Sequence, residues 1–214
     1  MITTILFDLD GTLLNTLDDI WASVNYSLAQ NGYPLRSKEE IRSYLGNGAK
    51  VLIEKSLPSE SRKEAAEKVL NIFRSFYLPH AMDTTSPYQG VPDLLRALKK
   101  RGYKTAIVSN KPDTAVQELY QTFFASLIDV AIGELPEIRR KPCPDMLLKA
   151  MSQLGSTSEE CIYVGDSEVD YQTACNIGLP CVSVSWGFRN RSYLESIGAS
   201  PIIDSPDELL SLIP

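Results

Sequence analysis

Ile2-Thr3-Thr4-Ile5-Leu6-Phe7-Asp8-Leu9-Asp10-Gly11-Thr12 decides the fold of this chain. Ile2 to Phe7 is rich in β-branched residues and predicts a buried strand. Asp8, Asp10 and Gly11 then end the apolar run with residues that favour a turn. Working outward, Tyr103 to Val108, Cys161 to Val164 and Cys181 to Val184 repeat the short β-rich run, and Val130 to Ile132 is a weaker example. Helical periods fill the gaps. Pro92 to Lys100 carries Leu94, Leu95 and Leu98 and stops at Gly102; Thr114 to Phe124, Asp145 to Leu154 and Val169 to Ile177 fit the same period. Strand, helix, strand in this order predicts an α/β protein with a parallel sheet covered by helices on both faces.

The stretch from Leu17 to Met82 reads differently. Ile20, Trp21, Val24 and Leu28 form one helical stripe. Ser37 with Glu40, and Ser61 with Glu64, have the spacing of capping boxes, the second before a helix carrying Val69, Ile72, Phe73, Phe76 and Tyr77. With no convincing strand, this stretch is expected to be an all-helical insert after the first strand. The chain re-enters the sheet near Tyr88-Gln89-Gly90.

Composition narrows the function. The chain has 214 residues, 43% hydrophobic and 22% charged, with a net charge of −6 and a pI near 4.9. An acidic chain repels nucleic acid and anionic membranes unless it concentrates basic residues. Only Lys99-Lys100-Arg101 and Arg139-Arg140-Lys141 do so, and both are short. No apolar stretch reaches the roughly 20 residues of a membrane helix, and Asp8 and Asp10 interrupt any signal-like N-terminal run. Cys143, Cys161, Cys175 and Cys181 form neither a CxxC pair nor a zinc spacing. A cytoplasmic location with reduced thiols is expected, with no nucleic-acid or membrane partner, as a monomer or homodimer.

Ligands of open parallel sheets bind beyond the carboxyl ends of the strands. That edge would collect Asp8 and Asp10 from the first strand and Ser109, Asn110 and Lys111 from the second. It would also collect Asp166, Ser167 and Asp170 from the Cys161 strand, with Lys141 in a loop within reach. Singly, each has a plain alternative. The two aspartates suit a capping turn, Ser109 and Asp166 suit helix caps, and Lys141 suits the surface. Together they read as chemistry: hard oxygen ligands suit Mg²⁺, and a hydroxyl, amides and a lysine suit phosphate.

Phe7-Asp8-Leu9-Asp10-Gly11-Thr12-Leu13 resembles the first motif of the haloacid dehalogenase-like superfamily. Val108-Ser109-Asn110-Lys111, Lys141-Pro142 and Gly165-Asp166-Ser167 with Asp170 resemble its second, third and fourth motifs, in order. The helical insert resembles the cap of its first subclass. The resemblance implies a Rossmann-like core over residues 1–15 and 84–214, with the cap over 16–83. Within the superfamily, Leu45-Gly46-Asn47-Gly48-Ala49, Tyr88-Gln89-Gly90-Val91, Lys141-Pro142-Cys143-Pro144-Asp145 and Trp186-Gly187-Phe188-Arg189 look like phosphoglycolate phosphatases.

The resemblance implies a Mg²⁺-dependent phosphatase of small phosphorylated metabolites, 2-phosphoglycolate first among them. Asp8 would be the nucleophile that forms an aspartyl-phosphate, and Asp10 the acid and then the base. Mg²⁺ would be held by Asp8, the Asp10 backbone carbonyl and Asp166, with Asp170 supporting that shell or orienting Lys141. Ser109 and Asn110 would bind phosphate oxygens, Lys141 would offset negative charge, and Thr12 would contact substrate. Gly46-Asn47-Gly48 is either a substrate-facing loop or a plain interhelical turn. Asn15 departs from the acidic residue of many relatives, Glu168 has no assigned role, and His80 reads as structural. The competing activities are a pyrophosphatase and a sugar-phosphate phosphomutase. Asp10 argues against a dehalogenase, and the complete set of motif residues argues against a binding protein without catalysis.

Overall fold

A computed structural model describes residues 1–213. The chain divides into two compact units, residues 1–14 with 87–214 and residues 15–86. In chain order, β1 (Thr4–Phe7) leads through β2 (Leu14–Asn15) into α1 (Leu17–Ala29), α2 (Lys38–Tyr44), α3 (Gly48–Ser56) and α4 (Arg62–His80). The chain returns through β3 (Ser86–Pro87), which pairs with β2 in a two-stranded sheet. There follow α5 (Val91–Lys100), β4 (Lys104–Pro112), α6 (Asp113–Phe123), β5 (Val130–Glu134), α7 (Asp145–Leu154), β6 (Cys161–Gly165) and α8 (Glu168–Ile177). The chain closes with β7 (Cys181–Val184), α9 (Arg191–Ser196), β8 (Ile202–Ile203) and α10 (Leu209–Leu212).

The larger unit is a six-stranded sheet in the order β5-β4-β1-β6-β7-β8, and every adjacent pair is parallel. β1 lies between β4 and β6, with Thr4 opposite Lys104 on one side and Cys161 on the other. Its continuous apolar run feeds both faces, as the period of two requires. Ile5 and Phe7 enter the core formed with Leu94, Leu95 and Leu98 of α5 and Val116 and Leu119 of α6. Leu6 enters the opposite core with Met146, Leu147 and Ala150 of α7 and Ala174 of α8. Cys161 and Cys181 are small hydrophobes of that second core, as expected.

β4 runs through Ser109, Asn110 and Lys111 to Pro112, past the expected end at Val108. Its pairing with β5 shifts register between Val108 and Pro112. Such a bulge re-aims side chains, and all three residues are buried. β8 and the short pair β2–β3 are too brief for periodicity to reveal.

In the smaller unit, Ser37 and Glu40 make the expected reciprocal cap: Glu40 N donates to Ser37 Oγ at 3.1 Å and Ser37 N to Glu40 Oε2 at 2.8 Å. Ser61 does not. It precedes α4, but its backbone is helical (φ −95°, ψ −9°) and its side chain makes no capping bond, because a capping hydroxyl needs an extended backbone behind it. Ile72 and Phe76 are only partly buried, whereas Val69, Phe73 and Tyr77 are core. Phe76 stacks on Tyr26 and on His80, whose Nδ1 pairs with Asp83 at 2.8 Å, consistent with a structural histidine.

Asp19, in the first turn of α1, is 4% exposed. It accepts from the backbone amides of Thr84 (3.0 Å) and Thr85 (2.9 Å) and from both hydroxyls. Burial opposes its charge, but these hydrogen bonds outweigh that and hold its pKa below the ordinary value. Asp19→Asn should destabilise the chain by about 2–3 kcal/mol, because charge-assisted bonds give way to weaker ones and a donor faces donors. Denaturant melting above pH 5 measures the loss. A depressed carboxylate stabilises only above its unfolded pKa, so the gap between wild type and variant should narrow as pH falls through the folded value.

Candidate active site

The carboxyl edge of β1, β4 and β6 assembles the site. Asp8 N donates to Val164 O at 2.9 Å, which carries the strand ladder one residue past Phe7 and places Asp8 at the edge. The chain then turns, with Leu13 N and Leu14 N both donating to Leu9 O at 3.0 Å. Gly11 makes the turn at φ +91°, and a Cβ there would lie 2.5 Å from Asp166 Oδ2. Only glycine satisfies both demands.

Lys141 is the hub. Its Nζ donates to Asp8 Oδ1 at 2.6 Å, Asp170 Oδ1 at 2.7 Å and Tyr163 Oη at 2.9 Å. These three acceptors match the three donors of an ammonium group. Asn110 fixes the Lys141 backbone from both sides, accepting from Lys141 N at 2.9 Å and donating to Lys141 O at 3.0 Å. The Asn110 side chain therefore clamps the lysine. Ser109 is 2% exposed, and its Oγ accepts from Lys111 N at 3.3 Å.

Asp170 is saturated. Besides Lys141, it accepts from Tyr163 Oη at 2.9 Å, Ser167 N at 3.1 Å and Ser167 Oγ at 2.6 Å. Asp166 Oδ1 accepts from Thr12 Oγ1 at 3.2 Å and its Oδ2 from Phe188 N at 2.7 Å. The Thr12 hydroxyl thus faces a carboxylate. Trp186 Nε1 donates to Thr12 O at 3.1 Å, and Arg189 grips Glu168 bidentately at 2.7 and 2.9 Å. Glu168 thereby acquires a role: it anchors the loop whose Phe188 amide holds Asp166. Arg139 pairs with Asp145 at 2.8 Å on the surface, and Arg140 faces Glu134 at 3.7 Å.

Oxygen atoms of Asp8, Asp166 and Asp170 lie within 4.8 Å of one another. Hard oxygen donors this close fit a small divalent cation. Asp170 already serves four donors, which leaves Asp8 and Asp166 as the better-suited pair. The Asp10 carboxylate is engaged elsewhere, by Lys111 Nζ at 2.8 and 3.1 Å.

Electrostatics agrees. Burial, with help from Asp170 and Asp10 and against the pull of Lys141, raises the Asp8 pKa to about 7. Burial and the charges of Asp170 and Asp8 push Asp166 well above the carboxylate range. Burial opposes the Lys141 charge, but Asp170 and Asp8 outweigh it and raise that pKa. Lys141 likewise overcomes burial at Asp170 and lowers its pKa. Buried like charges of this kind call for a cation.

Sequence reading missed Lys111 and Tyr163 as site residues. Lys111 lies in the Val108-Ser109-Asn110-Lys111 segment, where its neighbours carry the motif and its own side chain has no role that sequence alone assigns. Tyr163 sits in an apolar strand, where an aromatic reads as core, and only its hydroxyl distinguishes it. Gly46 (φ +111°), Asn47 and Gly48 (φ +78°) belong to the smaller unit and join α2 to α3. Asn15 is exposed.

A parallel α/β core with an inserted helical unit and a buried aspartate–lysine centre defines a hydrolase class, and a family model for haloacid dehalogenase-like hydrolases matches residues 5–184. The chain belongs to the haloacid dehalogenase-like hydrolases. Phosphoglycolate phosphatase of Pseudomonas putida strain KT2440 is 33% identical over 98% of this chain and 78% of its own length. Phosphoglycolate phosphatase of Vibrio parahaemolyticus is 31% identical over 99% and 96%. Among solved structures, a protein provisionally described as a phosphoglycolate phosphatase from Lactobacillus delbrueckii subsp. bulgaricus superposes with a TM-score of 0.92. It is 34% identical, over 97% of this chain and 96% of that one. CbbY from Rhodobacter sphaeroides, solved with xylulose-(1,5)bisphosphate, is 25% identical with a TM-score of 0.79 over 98% and 96%.

Proposed function

We propose that this hydrolase cleaves small phosphomonoesters through an aspartyl-phosphate, with 2-phosphoglycolate as its substrate. The observation that carries the reading is the Lys141 contact with Asp8, which holds a buried carboxylate ready beside a fixed positive charge. Asp8 attacks phosphorus, and the bond to the leaving oxygen breaks as Asp10 protonates that oxygen. Asp10, now ionised, takes a proton from the water that attacks the phosphoryl group, and Asp8 leaves as a free carboxylate. Covalent catalysis divides one difficult hydrolysis into two easier steps. Ser109 and the Asn110 backbone amide hold phosphate oxygens, and Lys141 stabilises charge on Asp8 and the phosphoryl group. Thr12 contributes to substrate binding through the loop it shares with Asp10. Asp8, the Asp10 carbonyl and Asp166 would hold Mg²⁺, which would supply charge neutralisation when bound. Residues 16–83 serve as the cap domain and residues 1–15 with 84–214 as the catalytic core, and Gly46-Asn47-Gly48 bind substrate.

The enzyme works in the cytoplasm as a monomer or homodimer, and acts on neither nucleic acid nor membrane. Among the described residues, no helix is long and apolar enough to cross a membrane.

Phosphate release from 2-phosphoglycolate, pyrophosphate, sugar phosphates and nucleotides tests the reading, with Mg²⁺ and with chelator. Strong release from 2-phosphoglycolate, lost on chelation and restored by Mg²⁺, is expected. Preference for a sugar phosphate would overturn the substrate and leave the chemistry. Release that survives exhaustive chelation would overturn the metal requirement.

A further inference from the structure

We propose that Lys111 is a positioning residue for the proton-transfer steps, holding the Asp10 carboxylate in its working orientation. This deepens the reading above and rests on Asp10 being the acid and base.

Lys111 Nζ lies 2.8 Å from Asp10 Oδ1 and 3.1 Å from Oδ2, so one ammonium group spans both oxygens. Its side chain is 4% exposed and that of Asp10 is 18% exposed. A lysine buried this deeply sits there at a desolvation cost that only a well-placed partner offsets, and Asp10 is that partner. The backbone places it deliberately. In a regular strand, Ser109 and Lys111 would face one side and Asn110 the other. The register shift between Val108 and Pro112 breaks that alternation beyond the end of β1, and all three side chains are buried at the site. Ser109 adds a local tie through its contact with Lys111 N.

The two lysines divide the work. Lys141 serves the nucleophile side, bound to Asp8 and Asp170. Lys111 serves the acid and base side through its ion pair with Asp10. Asp10 immediately precedes the turn at Gly11, where an isolated bridge pairs it with Leu14. A carboxylate on such a loop has rotational freedom, and proton transfer requires it within hydrogen-bond reach of the leaving oxygen. The Lys111 grip removes that freedom before substrate binds; in the acid step Lys111 keeps the nearer Oδ1, at 2.8 Å, and the proton passed to the leaving oxygen sits on Oδ2, at 3.1 Å from Lys111.

The signature is dependence on the leaving group. An alkyl alcohol is a poor leaving group and needs its oxygen protonated as the bond breaks; p-nitrophenolate does not. kcat/KM reports the steps up to phosphorylation of Asp8, so it isolates the acid step from the later water attack. For Lys111→Met, kcat/KM for the best alkyl phosphate should fall about 30-fold or more, within the range of general acid catalysis. For p-nitrophenyl phosphate it should fall less than about 3-fold. Lys111→Gln keeps a shorter donor and should lie between; it also serves if the Met variant melts below the assay temperature. Equal losses on both substrates, or no loss on either, would overturn the proposal. Wild-type turnover that persists in Asp8→Asn would instead sink the aspartyl-phosphate reading, so the two failures are separable.

Discussion

Asp8→Asn should reduce turnover below about one part in 10⁴ of wild type while leaving the protein folded. Asparagine keeps the shape but cannot attack phosphorus to form an acyl-phosphate that water then opens. The stability side of the experiment is equally specific. In the metal-free protein Asp8 titrates near 7, well above its ordinary 3.8. A carboxyl with a raised folded pKa binds more protons folded than unfolded, so its contribution is full below about 4 and is lost as pH rises through about 7. Asp166 is displaced in the same direction and extends the loss to higher pH. With chelator, the wild-type melting temperature should therefore fall from pH 5 to pH 8. Asp8→Asn should flatten part of that fall and melt no lower than wild type at pH 8. Melting curves at four pH values decide it; a steeper fall in the variant would contradict the burial argument.

Lys141→Met should do the opposite to stability. It strands Asp8 and Asp170, which are 7% and 1% exposed, without their shared counter-charge. Breaking a buried pair from one side costs about 3–5 kcal/mol. Activity should fall by about 10³-fold or more, the scale of losing a preorganised charge at the transition state. Lys141→Arg should not rescue it, because a planar fork cannot meet Asp8, Asp170 and the Tyr163 hydroxyl at 2.6, 2.7 and 2.9 Å from a single nitrogen. Combining Asp8→Asn with Lys141→Met should cost less stability than the sum, since the two residues share one contact. Denaturant titration of the four proteins measures that coupling, and strict additivity would show that the pair is energetically independent.

Much of this was legible in the sequence. β1, β4, β6 and β7 announced themselves as β-branched runs because both faces of a parallel strand are buried. Their polar ends gave Asp8, Ser109 and Asp166, since an open parallel sheet collects function at one edge. Four things stayed hidden. The bulge in β4 depends on pairing with β5, a contact between distant residues. Tyr163 looks like its apolar neighbours until Lys141 and Asp170 are placed around its hydroxyl. The Ser61–Glu64 spacing was right for a cap, but the backbone angle at Ser61 was not, and spacing carries no dihedral information. Glu168 needed Arg189 beside it, which no local pattern supplies.

The position of β1 at the centre of the sheet sets a timetable for synthesis. Lys104 follows its partner Thr4 by 100 residues, and Cys161 follows it by 157. At about 5–20 residues per second, Asp8 waits roughly 5–20 s for its first neighbouring strand. During that interval α1 to α4 have already emerged, and their contacts are mutual: α1 meets α4, and α3 meets α4. The helical unit can thus fold on the ribosome while β1 remains an apolar segment with both edges open. The nascent chain is most exposed to aggregation in that window, and a chaperone that shields short apolar strands near the N-terminus would have the most to protect there.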